Sequence, residues 1–172
     1  MRLIRMPFDL AAHEACVHVQ LRTLDSQVAA IPVRWVDGSP EVLLITSRGP
    51  GEWIVPKGWA MLDSLAAECA AREAFEEAGV TGEVEPYSLG TFEYWKRTKH
   101  GKVFYEVTAY ALHVQYELPD WPEREKRKRA WFAPEEAARL IGNEGLAELI
   151  RSAVQVEFKT APPVFAGVGL LN

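Results

Sequence analysis

Hydrophobic and polar positions alternate with two different periods along this chain. From Gln27, QVAAIPVRWV is rich in β-branched and aromatic residues. Asp37-Gly38-Ser39-Pro40 follows with turn chemistry, and EVLLITSR is a second apolar run, so a β-hairpin is predicted. Arg48 to Glu52 reads as a loop. Trp53 to Pro56 reads as a short extended segment, because Pro56 biases Val55 away from helix. The period then changes. SLAAECAAREAFEEA, Ser64 to Ala78, has no internal Gly or Pro and stops at Gly79. It is predicted as a helix with Asp63 or Ser64 as its N-cap.

A loop and strand (GEVEPYSLGTFEYW), a basic turn (KRTKHGK) and a period-2 strand (VFYEVTAYALHV) come next. Leu118 to Pro122 interrupts the pattern, and the basic EREKRKRAWF leads to Trp131-Phe132. Helices are predicted in PEEAARLI, opened by Pro134, and in LAELIRSAVQVEF. Residues 1–25 are ambiguous, since AAHEACVHVQLR suits a short helix or an edge strand, and the tail from residue 156 looks irregular. Strands flanked by helices give an α/β (α+β) sandwich, read as one domain over 1–172.

Composition narrows the classes. Hydrophobic residues make up 48% and charged residues 25%, as in ordinary globular proteins, and the formal net charge is −5. That charge disfavours nucleic-acid binding, which needs a basic footprint. Cys16 and Cys69 make no disulfide framework, and His13, Cys16 and His18 match no zinc spacing. The N-terminal MRLIRMPFDLAAHE lacks the apolar core of a signal peptide, and no apolar run approaches the roughly 20 residues of a membrane span. A cytoplasmic protein, monomer or homodimer, is expected.

The chemistry concentrates in one helix. Glu73, Glu76 and Glu77 lie three and four positions apart, so a helix projects all three carboxylates within about 100°. Like charges at this spacing cost a few tenths of a kcal/mol per pair, and a divalent cation reverses the sign. Carboxylate oxygens also suit Mg²⁺. Ala71, Ala74, Phe75 and Ala78 are expected on another side, packed on a sheet. The plainer alternative stays open: Glu pairs are common on solvated helices, and Glu68 to Arg72 has ordinary ion-pair spacing.

Gly58 to Val80, with Gly58, Arg72-Glu73, Glu76-Glu77 and Gly79-Val80 in register, resembles the Nudix box, G-x5-E-x7-R-E-U-x-E-E-x-G-U. Trp53-Ile54-Val55-Pro56-Lys57-Gly58 is similar to the family's lead-in, and the resemblance runs from about Gln27 to Ile150. Two positions depart from it. Ser64 replaces the first Glu, which in the family supports the loop-helix-loop, and Ala74 replaces a bulkier aliphatic. The resemblance implies a mixed sheet between helices. It implies one to three Mg²⁺ or Mn²⁺ ions on Glu73, Glu76, Glu77 and the Gly58 carbonyl. Arg72 would orient the carboxylates, and water would attack a phosphoanhydride in line. A further ligand or base would be Glu106, Glu123 or Glu125.

For the substrate, TSR…WIVPKG…EEAGV…EREKRKRAWF is similar to the diphosphoinositol polyphosphate and diadenosine polyphosphate hydrolase branch. By that resemblance Arg48, Arg127 and Arg129 would contact phosphate. Lys57 departs from the branch, many members of which carry Gly there, and is expected to alter the ligand contacts, while the clustering of basic residues in the turn around Lys99 would focus a polyanionic ligand toward the metal. Trp95, Tyr94 or Phe104 could stack a nucleobase. An RNA 5'-pyrophosphohydrolase and an inactive nucleotide-sensing module remain the alternatives.

Overall fold

The computed structural model describes residues 26–99 and 101–156. The expectations for residues 1–25, for His100 in the basic turn and for the tail from 157 lie outside them. Eight strands and three helices follow one another: β1 (Gln27–Val36), β2 (Ser39–Thr46), β3 (Trp53–Ile54), β4 (Lys57–Trp59), α1 (Ala66–Ala78), β5 (Val80–Val84), β6 (Gly90–Thr98), β7 (Gly101–Glu117), β8 (Arg129–Phe132), α2 (Pro134–Leu140) and α3 (Glu144–Ala153). All strands join one mixed sheet along the path β3-β2-β1-β7-β5, with β4 on β1, β6 on β7 and β8 on β2. Only β1 and β7 pair in parallel.

The β1–β2 hairpin turns as its sequence predicts. Asp37 (φ 51°) and Gly38 (φ 78°) both take the left-handed conformation, which a two-residue turn needs to match the twist of its strands. The sheet buries both faces. Val28, Ala30, Leu43, Ile45 and Leu112 meet Ala67, Ala70, Ala74 and Ala78 of α1. Ala29, Ile31, Val33, Leu44 and Ala111 meet Ala137, Leu146 and Ile150 of α2 and α3. Burying a side chain such as Ile31 or Leu44 contributes about 1.5–3 kcal/mol.

β1 changes partner along its length. Its first residues pair with β4 (Val28 with Gly58) and its last with β2 (Val33 with Val42). β2 and β4 therefore part company beside the middle of β1. The C-terminal half of α1 comes to this parting, and the candidate site forms there.

Four expectations need correction. α1 starts at Ala66, two residues later than predicted, and neither Asp63 nor Ser64 caps it. Instead Glu68 Oε2 accepts the Leu65 N–H at 3.1 Å, so Glu68 serves the helix start rather than Arg72. The buried side of α1 holds Ala67, Ala70, Ala74, Glu77 and Ala78, whereas Phe75 is exposed, so one carboxylate of the triplet faces inward. α3 begins at Glu144, capped by the Asn143 side chain on the Leu146 N–H, and ends at Ala153 instead of running on through Val154, Gln155 and Val156. Lys57–Trp59 is a strand that no local pattern announced.

Candidate metal and phosphate site

α1 sets its three carboxylates in three different environments. Glu73 lies over Gly58 of β4. A Cβ at position 58 would stand 2.2 Å from the Glu73 carboxyl carbon, so only glycine lets strand and carboxylate approach this closely. Burial, then Glu77 and Glu76, push the Glu73 carboxyl above the usual range, against Arg72 and Arg127. Glu76 is the most open of the three. Its nearest cation is Arg72, with Nε 3.6 Å away, while Arg72 Nη2 stands 3.9 Å from Glu73. The buried Arg72 Nε has no hydrogen-bond partner, so its guanidinium leans on both acids without closing on either.

Glu77 is held firmly. Its Oε2 accepts the Lys57 N–H at 3.0 Å and its Oε1 pairs with Arg127. Arg127 also donates to Glu123 Oε2 at 2.7 Å and to the Thr46 carbonyl at 3.0 Å. Arg48 closes the line by pairing with Glu123 from the loop after β2, and the Glu123 N–H donates to the Glu76 carbonyl at 3.1 Å. Charges thus alternate through Glu77, Arg127, Glu123 and Arg48, tying α1 to the loop after β2 and to the segment before β8.

The basic positions separate into two kinds. Arg127 faces inward. Arg129 donates to the carbonyls of Ala78 (2.6 Å), Gly79 (3.0 Å) and Leu118 (3.0 Å), and its guanidinium lies 4.1 Å from the Trp121 ring centre. These two were expected to meet phosphate; in the structure Arg127 Nε, Nη1 and Nη2 and Arg129 Nη1 and Nη2 donate within the protein. Arg48 and Lys99 remain open to solvent, Lys99 in the turn between β6 and β7. Lys57 carries its ammonium 5.3 Å from the Tyr94 ring centre, where burial lowers its pKa against the pull of Glu77. Around it stand Tyr94, stacked on Tyr105 at 5.3 Å, and Trp59, edge-on to Tyr105 at 5.7 Å.

Of the three extra acids, Glu123 alone is buried and bonded to the box, while Glu106 and Glu125 are exposed. Two contributors escaped the sequence reading. Trp121 packs against Gly79, where a Cβ would fall 2.6 Å from the ring and the backbone is left-handed (φ 64°). Trp59 contributes an aromatic wall. The i,i+2 spacing of Arg127 and Arg129 ahead of a strand was the available sign that both share one face.

The donor set suits a hard divalent cation. It is all oxygen, and Glu73 and Glu76 share a single cation, Arg72, which stands 3.9 Å from one and 3.6 Å from the other. Among the described residues no three acidic, His or Cys side chains stand close enough to enclose an ion as placed.

Comparison with known proteins gives the class of protein to which this fold belongs. Residues 25–153 match the family model of the NUDIX domain. The chain is 34% identical over 137 residues to Nudix hydrolase 21, chloroplastic, of Arabidopsis thaliana, covering 77% of this chain and 68% of that protein. It is 39% identical over 104 residues to diphosphoinositol polyphosphate phosphohydrolase 3-beta of Bos taurus, covering 59% and 60%. Among solved structures, the C. elegans Ap4A hydrolase binary complex superposes with a TM-score of 0.57 at 21% identity, covering 78% of this chain and 99% of that one. The chain belongs to the Nudix family, and its named hydrolase relatives support a pyrophosphohydrolase. The matched segment spans only 59% and 55% of two further plant relatives, Nudix hydrolases 12 and 4. Among the described residues no helix is long and apolar enough to cross a membrane.

Proposed function

We infer that this protein hydrolyses a phosphoanhydride bond in a small polyphosphorylated molecule, with Mg²⁺ or Mn²⁺ held by Glu73, Glu76, Glu77 and the Gly58 carbonyl. The approach of Glu73 to Gly58 carries the reading, because it sets a half-buried carboxylate, balanced by Arg72 only from 3.9 Å, against a backbone that only glycine leaves open. Bound there, the cation would neutralise bridging phosphates and supply an activated water. The protein's own side chains would do the positioning. Arg72 steadies Glu73 and Glu76, Arg127 fixes Glu77, and Glu123 is the extra acid nearest the box. Arg48, whose guanidinium is largely open, and Lys57 would take the phosphates.

Within that class the geometry favours a dinucleoside polyphosphate. Two of the arginines expected to contact phosphate donate mainly within the protein, while Trp59, Tyr94 and Tyr105 offer rings beside Lys57 on which a base can stack. The bovine relative keeps diphosphoinositol polyphosphates as the second reading. The cytoplasm is the proposed compartment, although the names of several plant relatives specify chloroplast or mitochondrion.

The test is a hydrolysis screen with Mg²⁺ and with Mn²⁺ over diadenosine polyphosphates, diphosphoinositol polyphosphates, ADP-ribose and 5'-triphosphate RNA. Turnover of diadenosine compounds that chelator abolishes is the expected result. Faster turnover of the inositol compounds would reverse the substrate choice. Tight binding without turnover of any compound would make the protein a sensor instead of an enzyme.

A further inference from the structure

β6 and β7 run on as a two-stranded ribbon beyond the rest of the sheet. The pairing of β7 with β1 begins at Val107 and Gln27, whereas its pairing with β6 continues from Val107 out to Gly101. Among the described residues no third strand joins the ribbon from Glu93 to Glu106. Alternation sends odd-numbered β6 residues and their partners to one face. Along that face the register gives Glu93 opposite Glu106, then Trp95 opposite Phe104, then Arg97 opposite Lys102.

All six side chains are exposed, Trp95 by 65% and Phe104 by 45%, with the two rings 5.0 Å apart. Like charges directly opposite one another destabilise a strand pair, and this face carries two such pairs, one acidic and one basic. Among the described residues none of the four charged side chains has an ion-pair partner. The ribbon thus presents an acidic rung, an aromatic rung and a basic rung in order, each about 7 Å from the next.

We propose that this face is where two copies of the chain associate. A two-fold axis across the ribbon, through the Trp95–Phe104 rung, stacks two ribbons face to face and antiparallel. It places the acidic rung of each copy on the basic rung of the other and the four aromatic rings together at the centre. The contact is self-complementary, as a closed two-fold dimer requires. An axis running along the ribbon would instead set acid on acid and base on base. Both like-charge rungs, a cost to a lone ribbon, gain an opposite partner in the dimer. The patch is narrow compared with the interfaces of obligate dimers, so association depends on concentration and weakens with salt.

Sedimentation velocity on the full chain, over a concentration series at low and high salt, tests the idea with two double variants. Glu93→Lys with Glu106→Lys makes every charged rung basic, and Arg97→Glu with Lys102→Glu makes every one acidic. Each keeps a like-charge rung, so strain within the ribbon is unchanged, and thermal melts confirm folding. The wild type is expected to shift from monomer to dimer with concentration. Each variant alone should need at least tenfold more protein to do so, and an equimolar mixture should recover the wild-type midpoint as a heterodimer. A wild type that stays monomeric throughout would overturn the proposal. Variants that dimerise alone as well as the wild type would overturn it too.

Discussion

Arg127 and Glu77 form an ion pair whose side chains are only 6% and 8% exposed, so a guanidinium from the segment before β8 anchors the last turn of α1. Removing one partner of such a pair leaves a buried charge uncompensated. Arg127→Ala leaves Glu77 with only the Lys57 N–H and Glu123 with Arg48 as its near cation, and is expected to cost about 3–5 kcal/mol in urea unfolding. Arg127→Lys keeps the charge but cannot reach Glu77, Glu123 and the Thr46 carbonyl together, so it should restore only part. A loss under about 1 kcal/mol for Arg127→Ala would show that the pair hardly matters to stability.

Gly58 and Glu73 should separate stability from metal binding. In Gly58→Ala the new methyl displaces the end of a flexible carboxylate rather than backbone, so the melting temperature should fall little. Glu73→Gln removes a carboxyl that burial and two neighbouring acids already disfavour as an anion, so without metal it should melt no lower than wild type. Mn²⁺ should raise the melting temperature of wild type, and that gain should shrink in both variants along with a tenfold or greater drop in turnover. Equal stabilisation by Mn²⁺ in all three proteins would remove Glu73 from the ligand set.

Arg129→Ala should behave as a stability variant and not as a substrate variant. Three carbonyls lose their donor and the Trp121 ring loses its cation, at a cost of about 2–4 kcal/mol. The Michaelis constants for a dinucleoside and for a more highly charged polyphosphate should change alike. A selective rise for the more charged substrate, with stability intact, would return Arg129 to phosphate binding.

Burial, and Tyr105 next to it, raise the Tyr94 phenol above the ordinary tyrosine value of 10.0. The folded state therefore holds this proton more tightly than the unfolded state. Its contribution to stability is complete below pH 10 and is lost as pH rises through the raised value. The absorbance difference at phenolate wavelengths between wild type and Tyr94→Phe should show one late-titrating tyrosine. A Tyr94 phenol that ionises at the ordinary tyrosine value would contradict this.

Much of this arrangement could be read from local signals. Asp37-Gly38 specified the first hairpin, Gly79 specified the end of α1, and the spacing of Glu73, Glu76 and Glu77 put three acids on one arc of helix. What escaped depends on partners distant in sequence. β4 is three residues long and exists because β1 offers it an edge. Arg127 and Arg129 sit in a run of charge that looks solvated, and only the pairing of β8 with β2 turns them inward. Glu77 reads like its neighbours until Arg127 arrives to compensate it. Ser64 invited a capping role that Glu68 fills, because the chain enters the helix two residues later.

The parallel contact between β1 and β7 also bears on how the chain reaches this structure. Gln27 meets Val107 across about 80 intervening residues, whereas the β1–β2 and β6–β7 hairpins close over a few. Both hairpins can assemble early, but neither has a completed sheet to rest on until that distant junction zips shut. The slow step of refolding should therefore be this loop closure, and substitutions along the β1–β7 seam should retard refolding more than equally destabilising ones in α2 or α3.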